Sequence, residues 1–317
     1  MKQTIKKHVS LTGRDFLTLL DYAPKEVKEL LRVAAEIKQK AKDHDHEPIL
    51  KGKSLGMIFE NASTRTRVSF EVGMTQLGGH ALFLSPRDLQ IGRGEPIKDT
   101  AKVLSRYVDA IMIRTNSHDM VEELAANADV PVINALTDAY HPCQALADLL
   151  TIKEYKPTQE KLKLAYVGDG NNVAHSLLIA GAKTGMDVVV ATPKGYEVDA
   201  GIFAAAKNAA EETGALLTET NDPVHACEQA DVIYTDVWAS MGYEGEQSER
   251  EKAFAPFQVN ENLTSHAKDD YLFLHCLPAH RGEEVTVDVI DGGHSAIYDQ
   301  AENRLHVQKA ILTSLLT

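Results

Sequence analysis

The sequence predicts an α/β protein built as two doubly wound parallel-sheet domains joined by long helices, with the ligand site in the interdomain cleft. Three observations carry this expectation. The chain has 317 residues, room for two domains of ordinary size. Short apolar runs alternate with helical patterns along nearly all of it, the mark of a mainly parallel sheet with crossover helices. The unusual polar residues fall just past the carboxyl ends of those apolar runs, the edge at which open parallel sheets bind ligands.

The elements follow in order. A charged amphipathic helix over 24–46 opens on Pro24, a residue suited to a first helical turn. Strands are predicted at 54–59, 81–85, 110–114 and 131–135, with helices starting near Thr66, Lys98 and Ser117. HPCQALADLLTIKEY (141–155) reads as one long helix and carries the domain link, so the first domain is expected over 1–147. Five more strands, at 162–168, 186–192, 215–220, 231–236 and 271–276, place a second domain over 148–297. The segment from about 298 to 317 has helical spacing with no strand after it, and is expected to pack back on the first domain.

Composition narrows the class. Hydrophobic residues make up 44% and charged residues 25%, the balance of a soluble globular protein. A net charge of -13 argues against nucleic acid or an anionic membrane as the main partner. Three cysteines (Cys143, Cys227 and Cys276) form no disulfide framework and fit a reducing, cytoplasmic compartment. MKQTIKKHVS has no apolar stretch behind its lysines, as a secretory signal would, and no run approaches the roughly 20 apolar residues of a membrane span.

Ser63-Thr64-Arg65-Thr66-Arg67 sits between a strand and a helical pattern. Hydroxyls and backbone N–H groups at a helix start cradle phosphate, and the helix dipole favours the anion. The guanidinium of Arg65 or Arg67 adds bidentate contacts. The bland alternative is an N-cap cluster with two surface arginines. The same strand edge also offers Arg114 and, in the loop after the next strand, His141. Gln90 lies in a glycine-rich charged loop, 85–96.

In the second half, Cys276 ends a strand and reads as a small buried hydrophobe rather than a nucleophile, since His275 points to the opposite face. His141, Cys143, His275, Cys276 and His280 show no paired spacing of a metal site, so no metal is expected. VGDGNNVAHS (167–176) follows a strand and opens a helix like a nucleotide-binding turn. Its third glycine position is Val173, and no acidic ribose partner follows, which makes a dinucleotide oxidoreductase the weaker reading.

STRTR, HPCQ (141–144), DVWASMG (236–242) and HCLPAHRGEEV (275–285), in this order and over this length, resemble the aspartate/ornithine carbamoyltransferase family across essentially the whole chain. STRTR and HPxQ are similar to its shared carbamoyl phosphate elements, DxWxSMG and HCLP to its ornithine branch. Asn61-Ala62 stands where a Lys-Pro pair is common, and leaves the matched residues untouched.

The resemblance implies a set of roles. Ser63, Thr64, Arg65 and Thr66 would hold the phosphate, with Gln90 arriving from a neighbouring subunit of a trimer. Arg114 and His141 would contact the carbamoyl oxygen, Gln144 the carbamoyl amide, and Arg304 would complete the site. Cys276 would partner the attacking amine, and Leu277 would offer backbone contacts to the carbamoyl group. Asn172, Asp236, Ser240 and Met241 would hold ornithine. The implied activity is carbamoyl transfer from carbamoyl phosphate to ornithine, with no cofactor, by a homo-oligomeric enzyme whose active site lies between the domains. The alternative in the same family is another amine acceptor: aspartate, putrescine or an acylated ornithine.

Overall fold

The computed structural model describes residues 9–43, 45–85, 87, 89–158, 161–239 and 247–317. The chain divides into two compact units, residues 1–150 with 302–317, and residues 151–301. Among the described residues no helix is long and apolar enough to cross a membrane.

The first unit runs α1 (Pro24–Lys42), β1 (Ser54–Phe59), α2 (Thr64–Gln76), β2 (His80–Leu84), α3 (Ile97–Leu104), β3 (Ala110–Arg114), α4 (His118–Asn127), β4 (Val132–Leu136) and α5 (Pro142–Tyr155). Its four strands are all parallel, in the order β2-β1-β3-β4. All five residues of β3 are buried, as expected of a central parallel strand covered on both faces. Ile58, Ile111, Ile113, Val121, Leu124 and Val132 pack into one core under α3 and α4. A register shift between Ile113 and Arg114 ends regular pairing with β4 at that arginine.

The second unit runs β5 (Lys163–Val167), α6 (Asn172–Thr184), β6 (Asp187–Ala191), α7 (Ala200–Ala210), β7 (Leu217–Thr220), α8 (Pro223–Cys227), β8 (Val232–Thr235), α9 (Gln247–Phe254), α10 (Glu261–Thr264), β9 (Leu272–His275) and α11 (Val287–Ile290). Its five strands are again all parallel, in the order β7-β6-β5-β8-β9. The last helix, α12 (Ile297–Leu316), and α5 each carry the chain across the division.

Each sheet reverses its winding at one place, between β1 and β3 in the first unit and between β5 and β8 in the second. The crevice outside such a reversal is where doubly wound folds bind ligands, because the flanking loops part to opposite faces there. Ser63, Arg114, Asn171 and Asp236 all follow or end these four strands. At the second reversal Thr235 Oγ1 donates to the Val167 carbonyl at 2.6 Å and fixes the two strand ends together.

Candidate active site

In the first unit, Ser63 caps α2, its hydroxyl accepting from the Thr66 N–H at 3.3 Å. Thr64, Arg65 and Thr66 therefore form the first helical turn, where backbone N–H groups point outward and the dipole is positive. Arg304, on α12, donates from Nη2 to Thr66 Oγ1 at 2.6 Å, so a residue 238 positions away completes this turn. Arg114, His141 and Arg304 are all buried. Burial first, then the charges of Arg304, Arg114 and Arg65, hold the His141 imidazole well below its usual range. A neutral ring amid three guanidinium groups leaves the cradle strongly cationic without adding a fourth proton-dependent charge.

Arg67 is separated from this group. It pairs with Glu71 at 2.9 Å and lies 3.8 Å over the exposed Phe83 ring. Gln144, in the first turn of α5, donates from Nε2 to Asp148 Oδ1 at 2.8 Å. Burial raises the Cys143 thiol to about 12, which makes it inert. Gln90 is exposed on the turn before Ile91–Arg93, and its backbone carbonyl accepts from Arg93 and Glu95.

In the second unit, Asp236 is buried just past β8. Its Oδ1 accepts from Cys276 Sγ at 3.1 Å, and its Oδ2 from Asn171 Nδ2 at 2.9 Å. Asn171 is itself the cap of α6, its Oδ1 accepting from the Val173 and Ala174 N–H groups at 2.9 and 3.2 Å. The cap locks the amide, and the amide aims the carboxylate. Gly170 precedes it because a Cβ there would meet the Glu197–Val198 backbone at 2.5 Å. Asn172 is the first residue of α6.

His275 and Glu284 are fully buried together, Nε2 to Oε1 at 3.0 Å. The Leu277 N–H donates to His275 Nδ1 at 2.9 Å. A backbone N–H can only donate, so Nδ1 is the acceptor and the ring proton sits on Nε2, facing the carboxylate. This bond spans Cys276 and holds Leu277 at φ +58°, a backbone region that side chains rarely adopt. Asp236, His275 and Cys276 bring ligand atoms within 4.8 Å of one another, a grouping that sequence spacing concealed. Both His275 nitrogens are already engaged, so the ring has no lone pair left to ligate a metal.

Arg250 on α9 donates from Nη1 to Asp169 Oδ2 at 2.9 Å and to the Trp238 carbonyl at 2.8 Å. It thus ties the β5–α6 turn to the segment following Asp236. Ser240 and Met241 lie outside the described residues.

Two family descriptions divide the chain between them. "Aspartate/ornithine carbamoyltransferase, carbamoyl-P binding domain" matches residues 14–154, and "Asp/Orn binding domain" of the same family matches residues 160–315. The chain belongs to the aspartate/ornithine carbamoyltransferase family. It is therefore a transferase. Among carbamoyltransferases of this family it is 75% identical over 316 residues to the ornithine carbamoyltransferase of Halalkalibacterium halodurans, covering 100% of this chain and 99% of that one. It is 62% identical over 307 residues to that of Bacillus subtilis, covering 97% and 95%. The solved structure of the ornithine carbamoyltransferase from Pyrococcus furiosus superposes with a TM-score of 0.94 at 60% identity, covering 97% of this chain and 98% of that one.

Asn171, Glu284 and Arg250 were not among the expected carbamoyltransferase site residues. Asn171 carried a legible signal, a cap residue before an apolar helix. Glu284 and Arg250 carried none, because their partners are tertiary.

Proposed function

We propose that this chain is an ornithine carbamoyltransferase. It transfers the carbamoyl group of carbamoyl phosphate to the side-chain amine of L-ornithine, giving L-citrulline and phosphate, in arginine metabolism in the cytoplasm. The observation that carries this reading is the 75% identity, end to end, with a protein of that name. The buried Asp236–Cys276 pair supports it, because a carboxylate beside a thiol suits a cationic amine better than it suits an aspartate substrate.

Carbamoyl phosphate occupies the first unit: Ser63, Thr64, Arg65 and Thr66 take the phosphate, with Arg304 behind them. Arg114 and His141 hold the carbamoyl oxygen, Gln144 the carbamoyl amide, and Leu277 offers backbone contacts to the carbamoyl group. Ornithine occupies the second unit. Asp236 and Cys276 hold its side-chain amine, while Asn172, Ser240 and Met241 hold the amino-acid end. An amine of this kind has a pKa of about 10.4 and must lose a proton before it attacks.

Its lone pair then adds to the carbamoyl carbon, and the negative charge gathered by the carbonyl oxygen is met by Arg114 and His141. The carbonyl re-forms as the carbon–oxygen bond to phosphate breaks; phosphate leaves with the electron pair and takes up the second proton that the attacking nitrogen gives up. No covalent enzyme intermediate is needed. Holding two reactants in place can supply roughly 7–11 kcal/mol of the barrier reduction.

The active assembly is a trimer in which Gln90 serves a neighbouring subunit. Two features support this: Gln90 is exposed, and so are Val68, Val72, Leu82, Phe83, Val103 and Tyr107 along α2, the edge strand β2 and the end of α3. α2 and β2 pack against one another, so Val68, Val72, Leu82 and Phe83 stand on adjoining elements, as on a surface that another chain covers. The test of the reading is an acceptor panel with carbamoyl phosphate as donor. Ornithine should far exceed aspartate, putrescine and Nα-acetylornithine. A different acceptor in first place would overturn it.

A further inference from the structure

We propose that Asp148 is a positioning residue: it fixes the amide polarity of Gln144, and so makes the site select a carbamoyl group over the acyl groups of other acyl phosphates. The inference rests on the reading of the first unit as the carbamoyl phosphate site.

Gln144 stands three residues after His141 in the first turn of α5, and Asp148 lies one turn further on the same helix. Residues four apart share a helix face, and the side chain of the later one leans back toward the helix start. The two side chains are almost wholly buried, at 1% and 0% exposure. Gln144 Nε2 is 2.8 Å from Asp148 Oδ1.

A carboxylate oxygen accepts and never donates, so the amide nitrogen must be the end that faces Asp148. The amide oxygen is thereby turned the other way. That oxygen, Gln144 Oε1, is buried with no hydrogen-bond partner among the described residues.

An amide left to itself is ambidextrous: a half-turn exchanges donor for acceptor at almost no cost. Asp148 removes that choice and presents an acceptor alone. A buried acceptor asks for a donor, and leaving it empty weakens binding by about tenfold to a hundredfold. The carbamoyl group ends in NH2, a donor. The acetyl group of acetyl phosphate ends in a methyl of nearly the same size that donates nothing. The two anhydrides share phosphate and carbonyl, so the cradle and the Arg114–His141 pair cannot tell them apart. The Asp148–Gln144 pair can.

The test measures equilibrium affinities of the full-length protein for carbamoyl phosphate, acetyl phosphate and inorganic phosphate, the last reporting the cradle alone. The unmutated protein should prefer carbamoyl over acetyl phosphate by about tenfold to a hundredfold. In Asp148→Asn, whose neutral amide lets Gln144 turn, this ratio should fall by at least about threefold, while phosphate affinity stays within about twofold. Gln144→Met should bring the ratio close to one, and adding Asp148→Asn to it should change the ratio no further.

A folded Asp148→Asn protein that keeps the full ratio overturns the proposal. So does an equal loss of all three ligands, which would make the bond merely structural. If Asp148→Asn does not fold, Gln144→Met decides, and an undiminished ratio there refutes the selection. Failure of the unmutated protein to bind carbamoyl phosphate at all would instead sink the underlying reading of the site.

Discussion

Cys276 donates its thiol to Oδ1 of Asp236 at 3.1 Å, while Oδ2 of the same carboxylate takes the Asn171 amide at 2.9 Å. The carboxylate is thus held from two sides, by the end of β9 and by the cap of α6, in a buried position. Such a group is oriented before substrate arrives, and its charge is not spent on a lysine or arginine of its own in either bond.

Asp236→Asn should therefore damage ornithine use specifically. Truncating one partner of a buried charge pair costs about 2–5 kcal/mol. Titration calorimetry should show ornithine affinity falling by that amount in the presence of a carbamoyl phosphate analogue, with affinity for carbamoyl phosphate itself unchanged. An equal fall in both would contradict the assignment of the two substrates to separate units.

Arg114→Ala should act on the other half. Removing a positioned donor to a developing oxyanion costs roughly a hundredfold to a thousandfold in turnover. Steady-state kinetics should show kcat and kcat/KM for carbamoyl phosphate falling together. Near-normal citrulline synthesis would show that the end of β3 is not the oxyanion site.

The pH dependence of stability follows from two buried histidines and one half-buried one. His118, His141 and His306 are all held below the usual histidine range, with burial the largest cause in each. Between their lowered folded values and about 6.5, the unfolded chain binds protons that the native chain does not. Stability therefore rises with pH across that window and falls as pH drops below about 6.5. Thermal melts at pH 5.0–7.5 should show this slope, with proton uptake on unfolding near pH 6. A flat profile would mean these rings are solvated.

Much of the architecture could be read from residue order. AIMIR and KLAYV announce central parallel strands because no polar residue interrupts them, and both are strands flanking a winding reversal. The four-residue helices α10 and α11 are too short for periodicity to register. In the site, Ser63 and Arg114 were legible from their place at strand ends. The His275–Glu284 pair and the Arg250 bridge between Asp169 and the Trp238 carbonyl were not, since no local pattern says which of many charged residues will be buried against a given partner. Asp148 was hidden for a different reason: an aspartate on a helix reads as a solvated face until its neighbours are known.

Subunit sharing gives a separate prediction. A Gln90→Ala chain mixed with an Arg114→Ala chain, each nearly inactive alone, should regain activity on refolding together. A mixed ring of three holds one intact site, and random one-to-one mixing makes about three-quarters of the rings mixed, so recovery should approach about one quarter. Recovery no greater than the sum of the separately refolded controls would place Gln90 in the site of its own chain or in none.

Direct carbamoyl transfer to ornithine can be tested without mutation. Chelator-treated protein is incubated with ornithine and carbamoyl phosphate labelled with carbon-13 at the carbonyl, and the reaction is followed by NMR and by mass spectrometry of the quenched protein. The label should move into citrulline with equal release of phosphate, and the protein mass should never change. A labelled adduct on Cys276, or hydrolysis of carbamoyl phosphate without citrulline, would contradict it.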